Sequence, residues 1–372
     1  MKIIHVVTLF TPDGAFGGPT RVAINQTREL RERGHDVTLA GAAMGYGKQL
    51  PTNVDGVPVR LFPARRLIPR TGFAGLTSPG LLAWFGRHIK QVDLVHIHLA
   101  RDLVTLPAAA IAAATRTSYV LQPHGMVDAP SNALASVLDV LATRAILQRA
   151  QTILCLNELE EDQVAGLSTR PLATEILPNG VPMAIAEGNP SEIEVLFLAR
   201  LHPRKRPTTF VEAAISLARI RPDVIFSLVG PDEGEGPAIT NQLRRSGAPA
   251  QIRREGALDP GQTLERLRTS SIYVLPAVNE PFPMSVLEAM SVGKPVIVTD
   301  SCGLADFIEK TKSGLVVDDT VESLEAAIAV LLDDEPLRNS MGANALSAVR
   351  SRYGMNNIAE LLIGFYEVAR VG

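Results

Sequence analysis

The sequence predicts an α/β protein with two domains, each a parallel β-sheet covered by helices on both faces. The chain has 372 residues, and 46% of them are hydrophobic, which is more than one ordinary hydrophobic core holds. Short apolar runs alternate with helical patterns in both halves, and strands that are apolar throughout are typical of parallel sheets buried on both faces.

The pattern of apolar residues in the first half of the chain predicts a series of βα units. Its predicted strands are Lys2 to Thr8, Asp36 to Ala40, Val57 to Phe62, Leu94 to Ile97, Ser118 to Gln122 and Thr152 to Leu156. Its predicted helices are Thr20 to Arg33, Asp102 to Ala114 and Ser131 to Arg149.

Turn residues at nearly every step from Leu177 to Pro190 predict a hinge between the two halves. The second half predicts strands at Glu194 to Leu198, Val224 to Val229, Gln251 to Arg254, Ile272 to Leu275, Val296 to Thr299 and Gly314 to Val317. Three helical stretches follow, the last from Asn356 to Val371. We therefore expect domains at residues 1–184 and 185–353, and a terminal helix at 354–372.

Composition disfavours several classes of protein. The net charge is −3 with 20% charged residues, and no apolar run approaches the length of a transmembrane helix. Cys155 and Cys302 lie in apolar surroundings in different halves, which disfavours a disulfide and indicates the cytoplasm. The apolar amino terminus runs into a Gly-rich loop, so we interpret it as a strand and not as a signal peptide.

Two acids, Glu280 and Glu288, frame the most informative stretch of the chain. Glu280 follows an apolar strand in the turn Glu-Pro-Phe-Pro, and Glu288 lies about one turn into the next helix. The unpaired N–H groups at the start of that helix, those of Met284, Ser285 and Val286, would bind anionic oxygen. A nucleoside diphosphate sugar needs such acceptors and donors, although a solvated loop acid and a surface helix acid would give the same pattern.

A basic loop follows the first strand of the second half, and a glycine-rich loop follows the first strand of the first half. In LARLHPRKRP, Arg200 and Lys205 follow a strand, where fixed cations would stabilise a departing diphosphate or simply form a solvated basic loop. The loop after the first strand contains Gly14, Gly17 and Gly18, without the GxGxxG spacing of dinucleotide-binding domains. These glycines fit a phosphate site or a flexible turn equally well.

Histidines mark strand ends in the first half. His124, in LQPHGM, follows a strand and points to the edge where parallel sheets bind ligands, although a structural role is the more common one. His96 and His98, in VHIHL, suggest metal ligands, but we find no third ligand in the sequence and interpret both as packing residues.

The motif ExFxxxxxE followed by AMSxGKPVIVTD resembles that of the retaining glycosyltransferases of the GT-B fold, a large family of the group 1, or family 4, type. The resemblance implies two Rossmann-like domains facing each other across a cleft, with a last helix that crosses back to the first domain. It implies transfer of a hexosyl-type sugar from a UDP- or GDP-sugar to an acceptor hydroxyl, without metal or other cofactor. Pro283 departs from the family pattern, because many members carry Gly there and proline has no N–H.

The resemblance also implies a role for each motif. His124 and Glu280 would hold the donor sugar, Glu288 the ribose, and Arg200 and Lys205 the diphosphate. Gly17 and Gly18 would lie beneath the diphosphate, in the acceptor-binding domain.

An acid-free window from Val57 to Lys90 interleaves basic and apolar residues. Its basic residues are Arg60, Arg65, Arg66, Arg70, Arg87 and Lys90. No nucleic-acid module accompanies them, so we predict a saccharide or lipid-linked acceptor, peripheral contact with an anionic membrane, and a role in polysaccharide or glycolipid biosynthesis. A solvated surface is the alternative for the window, and a nucleotide-sugar epimerase or a non-catalytic glycolipid-binding protein is the alternative for the chain.

Overall fold

The computed structural model describes residues 1–12, 17–47, 49–69, 71–127, 143–183, 192–247, 249–258 and 260–371. These form two compact units: unit 1 is Met1–Gly180 with Met355–Gly372, and unit 2 is Val181–Gly354. Gly14, Arg70, most of the helix predicted from Ser131 to Arg149 and residues 184–190 of the predicted hinge lie outside the described residues.

Unit 1 is built on a sheet whose strands are almost all parallel. The strands are β1 (Lys2–Phe10), β2 (Asp36–Ala43), β3 (Asn53–Val54), β4 (Val57–Pro63), β7 (Leu94–His98), β8 (Tyr119–Gln122), β9 (Thr152–Cys155) and β10 (Thr174–Ile176), and β5 (Arg65–Arg66) and β6 (Leu76–Thr77) form a separate hairpin. Their order across the sheet is β10-β9-β8-β7-β1-β2-β4-β3, and β3 with β4 is the antiparallel pair.

Helices cover both faces of this sheet. The helices of unit 1 are α1 (Gly17–Glu32), α2 (Pro79–His88), α3 (Thr105–Thr115), α4 (Arg144–Leu147), α5 (Glu158–Ala165) and, from the carboxyl terminus, α13 (Met355–Val371). Successive residues of a strand point to opposite faces, so Ile3 packs with Leu362 and Tyr366 of α13, whereas Ile4 packs with Ala108 of α3.

Unit 2 repeats the arrangement with a fully parallel sheet. Its strands are β11 (Ile193–Leu198), β12 (Val224–Val229), β13 (Ile252–Glu255), β14 (Ile272–Leu275), β15 (Val296–Thr299) and β16 (Gly314–Val317), in the order β13-β12-β11-β14-β15-β16. Its helices are α6 (Pro207–Ala218), α7 (Gly236–Arg245), α8 (Thr263–Arg268), α9 (Met284–Ser291), α10 (Ala305–Thr311), α11 (Val321–Asp333) and α12 (Glu335–Arg352). The predicted α/β class with two parallel sheets is confirmed.

Strand order reverses once near the middle of each sheet. In unit 1 the reversal lies between β1 and β7, and in unit 2 it lies between β11 and β14. Connections leave in opposite directions at such a point, which opens a crevice at the carboxyl ends of the strands. Among the described residues, no helix is both long and apolar enough to cross a membrane.

Candidate active site

In unit 2, the loops after β11 and β14 meet at the reversal of strand order. A short 3-10 turn, Pro203–Lys205, follows β11 and begins where His202 Nδ1 accepts a hydrogen bond from the Arg204 N–H at 3.2 Å. The Val278 N–H donates to the Arg204 carbonyl at 3.0 Å, which joins the two loops. This contact places Lys205 beside the loop that carries Glu280.

Lys205 and Glu280 form a nearly buried ion pair at this junction. Lys205 Nζ lies 2.7 Å from Glu280 Oε2, and the Arg204 guanidinium lies 3.4 Å from the same oxygen. The side chains of Lys205 and Glu280 are only 12% and 11% exposed. Burial lowers the pKa of Lys205 from its ordinary value, while the Glu280 carboxylate opposes that shift.

The backbone of Glu280 is fixed by the loop after β15. The Gly303 N–H donates to the Glu280 carbonyl at 2.9 Å, and the Asn279 N–H donates to Ser301 Oγ at 3.2 Å. Gly303 approaches so closely that a Cβ there would lie 1.9 Å from the Pro281 carbonyl oxygen. Glycine is therefore required at 303 by packing, and the close approach fixes the position of Glu280.

Arg200 does not share a partner with Lys205. Its guanidinium lies 2.9 and 3.2 Å from the two carboxylate oxygens of Glu233, and its side chain is half exposed. Arg200 and Lys205 both follow β11, but in this structure each cation engages its own carboxylate. An anionic ligand would compete with Glu233 for Arg200 and with Glu280 for Lys205.

Helix α9 begins beside Glu280 without a side-chain cap. Pro283 occupies the position before the helix, and the Val286 N–H already donates to the Pro283 carbonyl at 3.2 Å. The prediction that Val286 offers a free amide was therefore wrong. The Met284 and Ser285 N–H groups donate to no carbonyl of the described chain, so these two remain for an anionic ligand.

The charges of Glu288 and Glu280 both raise the pKa of one buried hydroxyl, that of Tyr273. The hydroxyl of Tyr273, on β14, donates to the Leu198 carbonyl at 3.0 Å and lies 2.7 Å from Ser285 Oγ. Burial raises the pKa of Tyr273, and the negative charges of Glu288 and Glu280 raise it further. The structure thus places both acids near the start of α9, as the spacing predicts.

In unit 1, His124 lies in a left-handed turn at the carboxyl end of β8. Its φ is 55° and that of Gly125 is 71°, values that are uncommon for a residue with a side chain. The buried Glu160 holds the turn by accepting hydrogen bonds from the N–H groups of Gly125 and Leu156. His124 is half-buried, and its Nε2 faces inward, 2.7 Å from His98 Nδ1.

Three fully buried histidines lie behind His124. His5 on β1 pairs in register with His96 on β7, and His98 follows on the same face. His5 is the third candidate ligand that we did not find in the sequence beside His96 and His98, since one nitrogen of each ring lies within 4.8 Å of the others.

The rings of these three histidines are not arranged for a metal. His96 and His98 stack with 13° between their planes and 4.4 Å between ring centres. Lone pairs lie in the ring planes, so those of two nearly parallel stacked rings do not converge on one ion. Burial lowers the pKa of all three rings and of His124, to about 3 for His5 and His124, which keeps them neutral.

The Gly-rich loop leads into α1 at the carboxyl end of β1. Thr20 Oγ1 donates to the Leu9 carbonyl at 3.1 Å, which fastens the helix start to the strand. A Cβ on Gly18 would meet nothing within 4 Å. Gly18 thus leaves open space at the start of α1, next to the reversal of strand order in unit 1.

The basic window divides into two groups on opposite edges of the sheet. Arg65 pairs with Thr77, which bridges to Leu103 beyond the carboxyl end of β7. Arg87 and Lys90, in contrast, lie just before the amino end of β7. The aromatic residues of the window, Phe62, Phe73, Trp84 and Phe85, pack against the core instead of lining a surface. Membrane contact therefore stays a prediction, and it cannot use Arg65 together with Arg87 and Lys90.

Two family models match the chain. Residues 184–347 match the model described as glycosyl transferases group 1, and residues 17–180 match the glycosyl transferase 4-like domain. The chain belongs to the group 1 glycosyltransferases. The predicted family is confirmed.

Relatives and solved structures agree with this assignment. The D-inositol 3-phosphate glycosyltransferase of Kineococcus radiotolerans is 25% identical over 98% of this chain and 94% of its own. Sucrose-phosphate synthase from Thermosynechococcus elongatus superposes with a TM-score of 0.75 at 19% identity, covering 99% of this chain and 98% of that one. Anabaena HepE in complex with UDP and glucose gives 0.73 at 20% identity, covering 98% of each chain. The likeness confirms the GT-B fold.

Sequence reasoning missed several residues that build the two sites of this glycosyltransferase. Gly303 and Ser301 follow β15 in the sequence Asp-Ser-Cys-Gly, a signal that resembles any loop after a buried strand. His5 lies within the first strand, where a single polar residue among apolar ones was the available signal. Tyr366 comes from α13, and no sequence pattern pairs it with histidines more than 250 residues away.

We predict that Gly303→Ala displaces the Glu280 loop, because the new methyl group overlaps the Pro281 carbonyl. The free energy of unfolding should fall by about 1–3 kcal/mol, as measured by urea denaturation, and transferase activity should fall with it. Gly256→Ala is the matched control, since a Cβ there meets nothing within 4 Å. Equal behaviour of the two variants would contradict this role for Gly303.

We also predict that the glycosyltransferase loses stability as the pH falls below about 6.5, the ordinary histidine value. The pKa values of His5, His96, His98 and His124 are lowered in the fold, so only the unfolded chain takes up these protons. The stability is fully present above that pH, and about 1.4 kcal/mol per histidine is lost by pH 5.5. Denaturation at pH 7.5 and 5.5 measures the loss.

One variant serves as a check on that pH dependence. His98→Asn should remove about one proton from the uptake on unfolding. Equal stability of the wild type at both pH values would show that the buried histidines do not titrate as described.

Proposed function

We propose that this glycosyltransferase transfers a hexosyl-type sugar from a nucleoside diphosphate sugar to an acceptor hydroxyl with retention of configuration. The observation that carries the proposal is the nearly buried Lys205–Glu280 pair beside the uncapped start of α9. It places a cation, unpaired amides and a carboxylate at one reversal of strand order, which are the groups that such a donor requires.

The donor diphosphate would bind to the cations and amides of unit 2. Lys205 and Arg200 exchange their carboxylate partners for phosphate oxygens, and the Met284 and Ser285 amides donate to the same group. Negative charge grows on the diphosphate as the glycosidic bond breaks. Fixed donors that are already in place stabilise that charge without reorganisation, so this set lowers the barrier without a metal ion.

The sugar would bind to Glu280 and His124, and the ribose would bind to Glu288. Glu280, released from Lys205, accepts hydrogen bonds from sugar hydroxyls, and Glu288 accepts them from the ribose. His124 Nδ1 has no hydrogen-bond partner among the described residues, and neither does the neighbouring Asn179 Oδ1. A sugar hydroxyl supplies the partner that this ring nitrogen lacks.

Retention would proceed without an enzyme nucleophile. In this structure the Glu280 carboxylate contacts both Lys205 and Arg204, and such pairing makes a carboxylate a poor nucleophile. We therefore propose attack of the acceptor on the face that the diphosphate leaves, with the leaving phosphate as the base. UDP-sugars are the first donors to test, because the structural relative from Anabaena was solved in complex with UDP and glucose.

We further propose an acceptor that carries phosphate, as in polysaccharide or glycolipid synthesis at the cytoplasmic face of a membrane. Arg65 and Arg66 are exposed at the carboxyl edge of the unit 1 sheet, and no acidic side chain of the described chain pairs with them. The D-inositol 3-phosphate in the name of the Kineococcus relative is also anionic.

Product analysis tests the function. UDP-glucose, GDP-mannose and ADP-glucose are each incubated with the enzyme and a sugar phosphate acceptor, and proton NMR reports the anomeric configuration of the product. Transfer with the donor's own configuration supports the proposal. Inversion overturns the retaining mechanism, and conversion of the donor without an acceptor indicates an epimerase.

We predict that Lys205→Ala lowers kcat by about 100-fold, because a fixed donor to the developing anion is lost. Donor affinity should change less, since the cation acts mainly in the transition state. Lys310→Ala is the control, because the side chain of that lysine is 78% exposed and pairs with Asp306 of its own helix. A loss of donor affinity with unchanged kcat would mean that Lys205 only binds.

We predict that exchanging Arg65 and Arg66 for glutamate weakens sedimentation with anionic vesicles at low salt, and that high salt abolishes the difference. Arg87→Glu with Lys90→Glu makes the same charge change at the opposite edge of the sheet and should have a smaller effect. If vesicle binding is absent but the first pair raises the KM for a soluble sugar phosphate, the acceptor is soluble. If neither changes, the acceptor does not contact these arginines.

A further inference from the structure

Four histidines and a tyrosine form a continuous hydrogen-bonded chain through the core of unit 1. The Tyr366 hydroxyl lies 2.5 Å from His96 Nδ1 and 3.0 Å from His5 Nε2. His5 Nδ1 lies 3.2 Å from His98 Nε2, and His98 Nδ1 lies 2.7 Å from His124 Nε2. The chain therefore runs from the terminal helix α13 to the residue that we assign to the sugar.

The chain has a direction, because each member is neutral. A neutral imidazole has one N–H donor and one acceptor nitrogen, so a ring that donates on one side must accept on the other. The hydroxyl of Tyr366 has a single proton, which it gives to His96 or to His5. This one choice sets the orientation of every later hydrogen bond and decides which nitrogen of His124 carries its proton.

The distances favour one of the two directions. Hydroxyl donors make shorter bonds than N–H donors, at about 2.5–3.0 Å for O–H···O and about 2.7–3.2 Å for N–H···O. The 2.5 Å contact between Tyr366 and His96 therefore has the hydroxyl as donor, and the 3.0 Å contact has His5 Nε2–H as donor.

The rest of the chain follows from that assignment. His5 Nδ1 is then an acceptor, so His98 Nε2–H donates to it. His98 Nδ1 becomes an acceptor in turn, and His124 Nε2–H donates to it.

We propose that Tyr366, acting through His5 and His98, is a positioning residue that holds His124 in the Nε2–H tautomer. His124 Nδ1 then presents a lone pair, which accepts a hydrogen bond from a hydroxyl of the sugar. The opposite direction of the chain would present an N–H at the same place. The tautomer itself does not depend on the proposed function, whereas its use toward a sugar does.

The tautomer can be observed directly in the intact protein. Long-range correlation of ring protons with ¹⁵N in histidine-labelled enzyme separates the two neutral tautomers. We expect His5, His98 and His124 all in the Nε2–H form, and we expect UDP-glucose to shift the Nδ1 resonance of His124 while Nε2 stays protonated. The Nδ1–H form of His124 in the wild type would overturn the proposal.

Removing one hydroxyl tests the origin of the tautomer. Tyr366→Phe deprives His5 Nε2–H of its acceptor, so the opposite direction becomes accessible and a second tautomer of His124 should appear. Only the fraction in the Nε2–H form is competent, so kcat/KM for the donor should fall by the same factor, about twofold if the two forms are equal.

Tyr119→Phe is the matched control. Tyr119 is fully buried in the same unit and its hydroxyl donates to the Ile146 carbonyl at 2.7 Å, outside the chain. It should keep the wild-type tautomers and kcat/KM. An unchanged His124 tautomer in folded Tyr366→Phe overturns the proposal, and if that variant does not fold, the wild-type spectrum decides. The expected tautomers with no response to UDP-glucose would uphold the chain and overturn the assignment of His124 to the sugar.

Discussion

Parallel strand pairing across a reversal of strand order is the constraint on which both candidate sites depend. Pairing of β11 with β14 brings the loop that ends at Lys205 beside the loop that carries Glu280, although the two residues lie 75 positions apart. Pairing of β1 with β7 does the same for His5 and His98. Candidate site residues lie at these reversals because the connections of neighbouring strands leave there in opposite directions and make room for a ligand.

Both sites contain buried polar groups, which cost stability but hold the site residues in fixed positions. A carboxylate as buried as Glu280 must be paired, and Lys205 and Arg204 supply the pairing until a ligand replaces it. The buried histidines of unit 1 stay neutral, and hydrogen bonds to one another and to Tyr366 satisfy most of their ring nitrogens, while His96 Nε2 and His124 Nδ1 have no partner among the described residues. Packed polar groups of this kind limit the positions that Glu280 and His124 can adopt.

Much of the fold followed from the sequence, because apolar runs and glycine stops report local structure directly. All strands of four or more residues in both sheets were predicted, whereas β3, β5, β6 and β10, of two or three residues, are too short to show a period. The positions of Glu280, Glu288 and Lys205 at one edge were also predictable, since a parallel sheet places the ends of its strands together.

Side-chain partners were not predictable in the same way. Whether Arg200 pairs with Glu233 or shares Glu280 with Lys205 depends on loop geometry. The hydrogen-bonded chain from Tyr366 to His124 joins four separate segments. The free amide expected at Val286 was wrong for a similar reason, because the 3-10 geometry at the helix start gives that N–H to Pro283. Such contacts depend on ångström-scale placement, which periodicity does not encode.

Hydrogen–deuterium exchange with and without UDP tests the central claim most directly. If unit 2 binds the nucleoside diphosphate at the reversal of its strand order, UDP should protect the loop from Arg200 to Arg206 and the amides of Met284 and Ser285. The turns that precede β12 and β14, at the other edge of the same sheet, should exchange at the same rate with and without UDP. Protection confined to that other edge, or no protection anywhere in unit 2 at saturating UDP, would contradict the account.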